Sequence, residues 1–270
     1  MKLSLITPTY NSTKTLANTL ESIVAQVQKH PELAGNLEHI IIDGVSTDGT
    51  QDIVQNYISR HGQDGVISIK FISEPDKGIF DAMNKGVKMA TGEIVGIINS
   101  DDFYYDADAL SKVIQAFESH QEIDAVYGDL KYVDNDNVKK QTRFWKAGEY
   151  KEENLNWGWS IPHPTFFVRR RVYEKLIAKN ERIFDTTFSI TSCYELTFRL
   201  LKINKIKVKY IPETLVTMRD GGVSGKNLGQ RIKGWKEQRR VWKVNSLKVP
   251  PFFTIRRVLN KINQFLNFSR

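Results

Sequence analysis

The chain of 270 residues is 40% hydrophobic and 26% charged, the composition of an ordinary globular protein with a sizeable core. Its one cysteine, Cys193, excludes an internal disulfide and a cysteine-rich zinc site, and no stretch reaches the roughly 18 apolar residues of a spanning helix, so we expect a cytoplasmic protein. The net charge of +8 arises at the C-terminus, because residues 226–270 hold twelve Lys and Arg side chains against one acid and residues 1–225 carry −3.

Strand and helix patterns alternate through the first hundred residues. The patterns predict strands at 2–10, 37–43, 66–74 and 92–102, and helices at 11–26, 51–62 and 78–90. This alternation is typical of an α/β fold with a mostly parallel sheet and helices on both faces. Such sheets bind ligands at the carboxyl ends of their strands.

The pattern is looser after residue 125. It predicts a strand at 124–134, an irregular stretch at 143–162, a short helix at 193–203 and a strand at 207–218. We expect this half of the chain to cover one edge of the first half and to form the pocket of a second substrate.

Polar motifs follow three of the predicted strands. Asp43 precedes "GVSTDGT", where its carboxylate either accepts hydrogen bonds from a nucleobase or ribose or belongs to an ordinary strand-to-helix turn capped by Ser46. In "DKGIFDAMNKG", Asp81 and Asn84 lie near helical spacing, on a face directed either to a ligand or to solvent. The fourth strand ends in "NSDD".

The paired carboxylates Asp101 and Asp102 have the chemistry of a cation site. Mg²⁺ and Mn²⁺ prefer oxygen ligands, and Mg²⁺ often takes only one or two from the protein while substrate phosphates supply others. An acidic turn in solvent explains the same pair when it is considered alone. Neither GxGxxG after a strand nor GxxxxGK[ST] is present, so the fingerprints of dinucleotide oxidoreductases and P-loop proteins are absent.

Four segments in this order resemble family 2 glycosyltransferases of the GT-A fold, a Rossmann-like nucleotide-diphospho-sugar transferase fold. They are "ITPTYN" from residue 6, "HIIIDGVSTDGT" from 39, "SEPDKGIFDAMNKGVKMATGEIVGIINSDD" from 73 and "HPTFFVRR" from 163. The chain is most similar to the bacterial branch that builds O-antigen, capsule and exopolysaccharide. The resemblance implies a GT-A domain at 1–225, with a nucleotide-sugar half at 1–105 and an acceptor half at 106–225, followed by a basic amphipathic helical extension at 226–270.

The resemblance also implies the reaction. We expect a metal-dependent, inverting hexosyltransferase that moves a sugar from a nucleotide-sugar donor to a saccharide on a polyprenyl diphosphate. The expected donor is a UDP-sugar. Mn²⁺ or Mg²⁺ is the implied cofactor, with Asp102 as its ligand. The remaining donor residues implied by the resemblance are Thr7, Pro8, Tyr10, Asp43, Ser46, Asp76, Lys77, Asp81, Asn84, Ser100 and Asp101.

One departure concerns the catalytic base. Members of the family carry an Asp before a tyrosine in this stretch, and here "TSCYELTFRL" places Cys193 in that slot. A thiol with a pKa of about 8.5 is a poor substitute for a carboxylate. We expect Glu195, two residues on, to act as the base; the alternative is a catalytically impaired protein that binds nucleotide sugars.

Two further positions match the family near the phosphates or the acceptor. They are His163, which equally suits a role in shaping the turn between Pro162 and Pro164, and Arg219 before "DGGVS", which equally suits a glycine-rich connector.

The C-terminal stretch predicts an amphipathic helix with a basic polar face. Its apolar residues recur at three and four positions: Phe252, Ile255, Val258, Leu259, Ile262, Phe265 and Leu266. Such a helix suits an anionic membrane surface at the inner face of the cell membrane, and packing on the catalytic domain or on a second subunit explains the same pattern. We expect no nucleic-acid partner, and the oligomeric state is left open.

Overall fold

The computed structural model describes residues 1–62, 65–221 and 228–266. Its strands are β1 (Leu3–Thr9), β2 (Leu37–Asp43), β3 (Ile67–Ser73), β4 (Ile94–Ile97), β5 (Phe103–Tyr104), β6 (Ala125–Val133), β7 (Gln141–Trp145), β8 (Phe167–Arg169) and β9 (Val208–Arg219). Its α-helices are α1 (Leu16–Lys29), α2 (Thr50–His61), α3 (Ile79–Met89), α4 (Ala109–Ser119), α5 (Arg170–Ala178), α6 (Ser192–Phe198), α7 (Leu228–Val244) and α8 (Phe253–Leu266).

One sheet contains these strands in the order β3-β2-β1-β4-β8-β6-β9-β5, and β7 pairs with the second half of β6. Strands β1 to β4 run parallel to one another. Strand β8 is antiparallel to both β4 and β6, so β6 and its parallel neighbour β9 run in the same direction as β1. The mostly parallel sheet expected from the sequence is confirmed, and the carboxyl ends of its main strands lie at one edge.

Helices cover both faces of the sheet, as predicted. One apolar core joins one face to α3, α5 and α6, and a second joins the opposite face to α1 and α4, with α2 packed beside α1. Every residue of β1 and β2 is buried, the continuous burial typical of central parallel strands. Helix α3 comes so close to β1 that a Cβ at Gly86 would lie 2.4 Å from Ile6 Cγ2.

The last two helices add a layer outside α6. Trp242 of α7 and Phe253 of α8 join a small apolar cluster with Phe198 of α6, and the Phe198 and Trp242 ring centroids are 4.7 Å apart. Glu237, the one acid of the basic C-terminal stretch, accepts five hydrogen bonds from residues 189–191, directly before α6. No helix of the described residues combines the length and apolarity needed to cross a bilayer.

The C-terminal helix packs on the protein through fewer residues than its sequence pattern suggests. Phe253 and Arg257 are buried, whereas Phe252, Ile255 and Leu259 are more than half exposed. Arg257 therefore faces the protein and does not belong to a solvated polar face. The side chains of Ile262, Phe265 and Leu266 lie outside the described part of the structure.

Several elements differ from the sequence-based expectations. The fourth predicted strand ends at Ile97 instead of residue 102, so "NSDD" lies in the turn beyond it. Helices α4 and α5 and strand β7 were not predicted. Strand β7 lies in the stretch expected to be irregular, because it is specified by pairing with β6 across a chain turn and not by its own alternation.

Candidate active site

The carboxyl ends of the central strands bring most of the predicted site residues together. Thr9, Asp43 and Ser73 are register partners on β1, β2 and β3. Strand β4 ends beside β1, and the chain continues through Asn99 to Asp102. This edge of the sheet is therefore the candidate site.

Asp102 is a fully buried carboxylate with one unused oxygen. Its Oδ2 accepts a hydrogen bond from Asn99 Nδ2 at 2.9 Å, and its Oδ1 has no partner among the described residues. Burial and then the charge of Asp101 raise the pKa of Asp102 well above its usual value. Burial also raises the pKa of Asp101, which is partly exposed. Two such carboxylates side by side favour a cation between or beside them.

Arg219, at the end of β9, lies near this pair. Its Nη2 donates to Asn18 Oδ1 at 2.9 Å, and its guanidinium carbon lies 5.4 Å from the centroid of the Phe103 ring. The Arg219 charge lowers the pKa of both aspartates, against the larger effect of burial. Its Nε has no partner among the described residues. Residues 222–224 of the predicted glycine-rich loop lie outside those residues.

Asp43 shapes the turn after β2. Its carboxylate is fully buried and accepts hydrogen bonds from Ser46 N at 3.0 Å, from the Ser46 hydroxyl and from Ser73 Oγ at 2.7 Å. The Ser46 hydroxyl in turn accepts from Asn11 N at 2.8 Å, which ties the first and second strand-end turns together. These hydrogen bonds support the interpretation that Asp43 stabilises a strand-to-helix turn. Contact of Asp43 with a base or ribose stays a prediction.

Tyr10, Gly44 and Asp76 converge where β1, β2 and β3 end. A Cβ at Gly44 would lie 2.9 Å from Asp76 Oδ2 and 3.3 Å from Tyr10 Cδ2. Tyr10 is 64% exposed, so its ring and the Asp76 carboxylate lie close over Gly44, a residue without a side chain, and the ring is accessible from solvent. An exposed aromatic ring beside a carboxylate can stack on a planar nucleobase and accept a hydrogen bond from it.

Thr7 and Pro8 lie deeper than Tyr10. Both are buried in β1, and the Thr7 hydroxyl lies 2.9 Å from His39 Nε2, whose Nδ1 lies 3.1 Å from the Tyr57 hydroxyl. This arrangement does not favour a contact of Thr7 with a nucleotide, and the contact stays a prediction. Thr9, on the same face and nearer the edge, has a buried hydroxyl without a partner among the described residues.

The polar face predicted for α3 is divided between two structural roles. Asp81 Oδ2 accepts from Lys77 N at 3.0 Å, and Asp76 Oδ1 accepts from Gly78 N at 2.7 Å, so both acids order the start of the helix. The Lys77 side chain is exposed. Asn84 bonds to Phe184 through both ends of its amide, donating to the carbonyl and accepting from the N–H, each at 2.9 Å. A direct contact of Asn84 with the donor stays a prediction.

His163 lies in a short 3₁₀ helix, His163–Thr165, that packs against β4 and β6. Its ring is 5.9 Å from the Phe184 ring, edge to face. Burial lowers the pKa of His163 to about 4, so the ring is neutral at neutral pH. A neutral imidazole can donate or accept one hydrogen bond but does not neutralise a phosphate charge.

Cys193 occupies the first turn of α6 and is only partly buried. Burial raises the pKa of its thiol above the usual value, so the thiol stays protonated at neutral pH. A protonated thiol cannot take a proton from an acceptor hydroxyl.

Glu195 is not placed to replace the missing base. Its side chain is fully buried, and Arg199 Nε and Arg182 Nη2 donate to its Oε1 at 3.0 and 3.3 Å. Asn245 of α7 donates to the same oxygen at 3.3 Å. This geometry argues against Glu195 as the catalytic base, because the carboxylate is buried and paired with two arginines. The assignment stays a prediction.

Some residues of the site carried no predicted role. Asn99 belongs to the quoted "NSDD", and its position in the turn was the signal that could have identified it. Ser100, which was predicted, places its Oγ 2.8 Å from Ser12 Oγ and so joins this turn to the one after β1. Asn18, the partner of Arg219, comes from α1 and had no sequence signal.

Comparisons with known proteins agree with this architecture. The sequence profile of Glycosyl transferase family 2 matches residues 4–177, more than half of the chain. The chain is 28% identical to the PGL/p-HBAD biosynthesis glycosyltransferase of Mycobacterium bovis over 222 residues, which cover 82% of this chain and 78% of that protein. It is also 28% identical to chondroitin synthase of Escherichia coli over 169 residues, 62% of this chain and 23% of that protein.

Two solved structures share the fold. TarS of S. aureus matches with a TM-score of 0.66 and 22% identity, covering all 100% of this chain and 73% of its own. The mannosyltransferase PcManGT from Pyrobaculum calidifontis, solved with GDP-Man and Mn²⁺, matches with a TM-score of 0.62 and 19% identity, covering 99% of this chain and 70% of its own. The fold is thus the GT-A fold of glycosyltransferases. The chain belongs to glycosyl transferase family 2, as its motifs indicated.

The ion-pair role of Glu195 makes a testable prediction. Glu195→Gln leaves the Arg199 guanidinium buried without its main counter-charge, so we expect the free energy of unfolding to fall by about 3–5 kcal/mol in urea titrations. Glu181→Gln is the matched control, because Glu181 lies 3.7 Å from Arg199 and is 35% exposed; it should cost less than about 1 kcal/mol. Unchanged stability of Glu195→Gln together with lost sugar transfer would restore Glu195 as the base.

Proposed function

We propose that this glycosyltransferase is a metal-dependent, inverting enzyme that moves a sugar from a nucleotide-sugar donor to a saccharide on a polyprenyl diphosphate, in the synthesis of surface polysaccharide. The observation that carries the proposal is the buried, unpaired Oδ1 of Asp102 beside Asp101, at the edge of the sheet that also holds the exposed ring of Tyr10. Support for the donor class comes from TarS, solved with UDP and with UDP-GlcNAc, and from PcManGT, solved with GDP-Man.

The donor would lie across the strand ends. Its base would stack against Tyr10 over Gly44 and reach Asp76, and its ribose would approach Asp43 and Ser46, which hold the turn below it. Ser100 and Asp101 would contact the ribose or the sugar. Lys77, exposed at the start of α3, would cover the nucleotide.

The two aspartates fit a divalent cation. Among the described residues there is no cluster of three or more His, Cys, Asp or Glu side chains, so a cation on Asp102 would take further oxygen ligands from the donor diphosphate, as Mg²⁺ commonly does. Mn²⁺ or Mg²⁺ would supply positive charge to the departing diphosphate. Arg219, with an unpaired Nε near the same carboxylates, would add a donor for a phosphate oxygen.

An inverting transfer requires a general base near the acceptor hydroxyl. Among its described residues, this chain has no evident carboxylate in that position. The thiol of Cys193 is neutral, and the carboxylate of Glu195 is occupied by arginines. Transfer is therefore slow, or depends on proton loss to solvent. The same two observations favour a second function, a nucleotide-sugar-binding protein without transferase activity.

The donor and the cation can be tested by thermal stability. We expect one nucleotide sugar to raise the melting temperature in the presence of Mn²⁺, since a ligand at a hundred times its Kd stabilises the folded state by about 2.7 kcal/mol. Asp102→Asn should lose the Mn²⁺-dependent part of this shift, because it removes the negative charge of the unpaired oxygen. Asp136→Asn, an exposed acid, is the control and should retain it. A Mn²⁺-dependent shift that survives in Asp102→Asn would contradict the site.

The base slot can be tested by restoring it. Cys193→Asp places a carboxylate where the thiol now is, and we expect sugar transfer to rise at least about tenfold, since a positioned general base contributes 10²–10⁴-fold. Cys193→Ala should show no increase. The measurement is nucleotide release from the donor that stabilises the protein, with saccharide acceptors present. A wild-type protein that transfers as fast as Cys193→Asp would show that the base lies elsewhere.

We also propose that α8 rests on the cytoplasmic face of the membrane. Phe252, Ile255 and Leu259 form an exposed apolar stripe on a helix whose surroundings are strongly basic. A lipid-linked acceptor would be met most readily by an enzyme held there.

Vesicle flotation tests this placement. Leu259→Asp should reduce flotation with anionic vesicles by about tenfold, because a buried leucine contributes roughly 1.5–3 kcal/mol. Ile177→Asp changes another exposed apolar residue, 47% exposed against 56% for Leu259, on α5 and should leave flotation unchanged. Equal flotation of the wild type and Leu259→Asp would reject membrane binding through α8.

A further inference from the structure

A cavity lies between the end of β7, residues 154–160 and α8, away from the strand-end aspartates. Its volume is about 440 Å³, within the range of small-molecule sites. The lining is Phe144, Trp145, Lys146, Asn154, Trp157, Gly158, Trp159, Ser160, Arg257, Asn260, Lys261 and Gln264. No carboxylate belongs to it, and three of its side chains are cationic.

The cationic side chains of the cavity form no salt bridge with the described acids. Lys146, Arg257 and Lys261 have no described Asp or Glu within ion-pair distance, although the charge of Lys146 lowers the pKa of Asp129. Desolvation by the surrounding protein and the positive charges of Arg257, Arg143 and Arg231 lower the pKa of Lys261 to about 8. Like charges are thus held together at a cost that an anion would remove.

Arg257 is held rigidly at the wall of this cavity. Its Nη1 donates to the Gly158 carbonyl at 2.6 Å, and its guanidinium carbon lies 4.6 Å from the centroid of the Tyr194 ring. A Cβ at Gly158 would lie 2.6 Å from Arg257 Cβ, so only glycine permits this approach of α8. The Nε of this buried arginine has no hydrogen-bond partner among the described residues.

Aromatic rings form the rest of the wall. Trp159 is fixed by its Nε1, which donates to the Ala147 carbonyl at 2.7 Å. Trp157 is 53% exposed, with the Arg256 guanidinium carbon 4.2 Å from its ring centroid. A flat, rigid aromatic face beside cationic groups suits a ligand that has both an apolar ring face and a negative charge, as a sugar phosphate has.

Arg143, on strand β7, acts electrostatically both on this cavity and on Tyr132, a residue affected by the charge of Asp102. The Arg143 guanidinium carbon lies 3.9 Å from the centroid of the Tyr132 ring, and the Arg143 charge also acts on Lys261. Burial raises the pKa of Tyr132 to about 12, with Arg143 opposing the shift and the charges of Asp102 and Asp220 adding to it. The charge of Arg143 therefore acts on both Tyr132 and Lys261.

We propose that this cavity binds the phosphate group of a phosphorylated saccharide, with the phosphate on Arg257 and Lys261 and a sugar ring against Trp157. As an acceptor site it rests on the proposed function, and it identifies the acceptor as a saccharide carrying a phosphate or diphosphate, either free or attached to a lipid. Phosphate prefers such a site because arginine offers it paired N–H donors in a region without competing carboxylates.

Calorimetric titration of the full-length protein with glucose 1-phosphate, glucose and inorganic phosphate tests the binding. Glucose 1-phosphate should bind more tightly than either of its parts. Lys261→Gln should weaken its binding about tenfold, since it removes a positively charged hydrogen-bond donor to the phosphate. Trp157→Ala should weaken glucose 1-phosphate more than inorganic phosphate. Lys248→Gln, an exposed lysine outside the cavity, is the charge-matched control and should bind as the wild type does.

Equal affinity of the wild type and Lys261→Gln, or no binding of glucose 1-phosphate, would overturn the proposal. Titration with UDP and Mn²⁺ separates it from the proposed function: UDP binding without glucose 1-phosphate binding rejects the cavity alone, and the reverse rejects the donor site alone. Phosphatidylcholine vesicles with and without a polyprenyl phosphate distinguish the two sources. Binding to the loaded vesicles that Lys261→Gln loses assigns the lipid-linked form, and binding of the soluble phosphate only assigns the free form; both outcomes support the site.

Discussion

Asp101 and Asp102 are neighbouring carboxylates in the turn after β4, and Asp102 is fully buried. The burial of this pair constrains the side chains packed around it. Asp102 keeps one oxygen bonded to Asn99 and the other unpaired, in a buried position that disfavours its ionised form. Arg219 lies near enough to offset part of the cost of ionisation, and Asn18 and Phe103 contact it there. A bound cation would offset the remaining cost, which is the physical basis of the proposed metal site.

Helices α6, α7 and α8 organise the half of the protein that we propose to bind the acceptor. Glu237 of α7 orders the residues before α6, and Glu195 joins α6 to Arg182 and Arg199. Helix α8 then presents two different surfaces, with Arg257 directed into the cationic cavity and an apolar stripe directed outward. On the two proposals together, a phosphorylated saccharide on a lipid would place its phosphate in the cavity and its lipid chain near the apolar stripe of α8.

The sequence predicted the parts that depend on periodicity and strand ends. Continuous apolar strands separated by helices were sufficient to predict the parallel sheet. The polar residues after β1, β2 and β4 were sufficient to predict which edge of the sheet holds the candidate site. Side-chain direction could not be predicted: Thr7 and Thr9 share a face of β1, yet only Thr9 reaches the edge. Partners distant in the chain were equally hidden, because nothing near Glu195 in the sequence shows that Arg182 and Asn245 would meet its carboxylate. For the same reason, the sequence could not show that Arg257, which belongs to the basic polar face predicted for α8, is buried.

A crystal structure of the protein with UDP and Mn²⁺, with the ion located by its anomalous scattering, would test the central claim most directly. We expect one manganese peak within coordination distance of Asp102 Oδ1 and of the UDP diphosphate, with the uracil ring over Gly44 and beside Tyr10. UDP bound in another part of the protein, or manganese bound away from Asp102, would contradict the account.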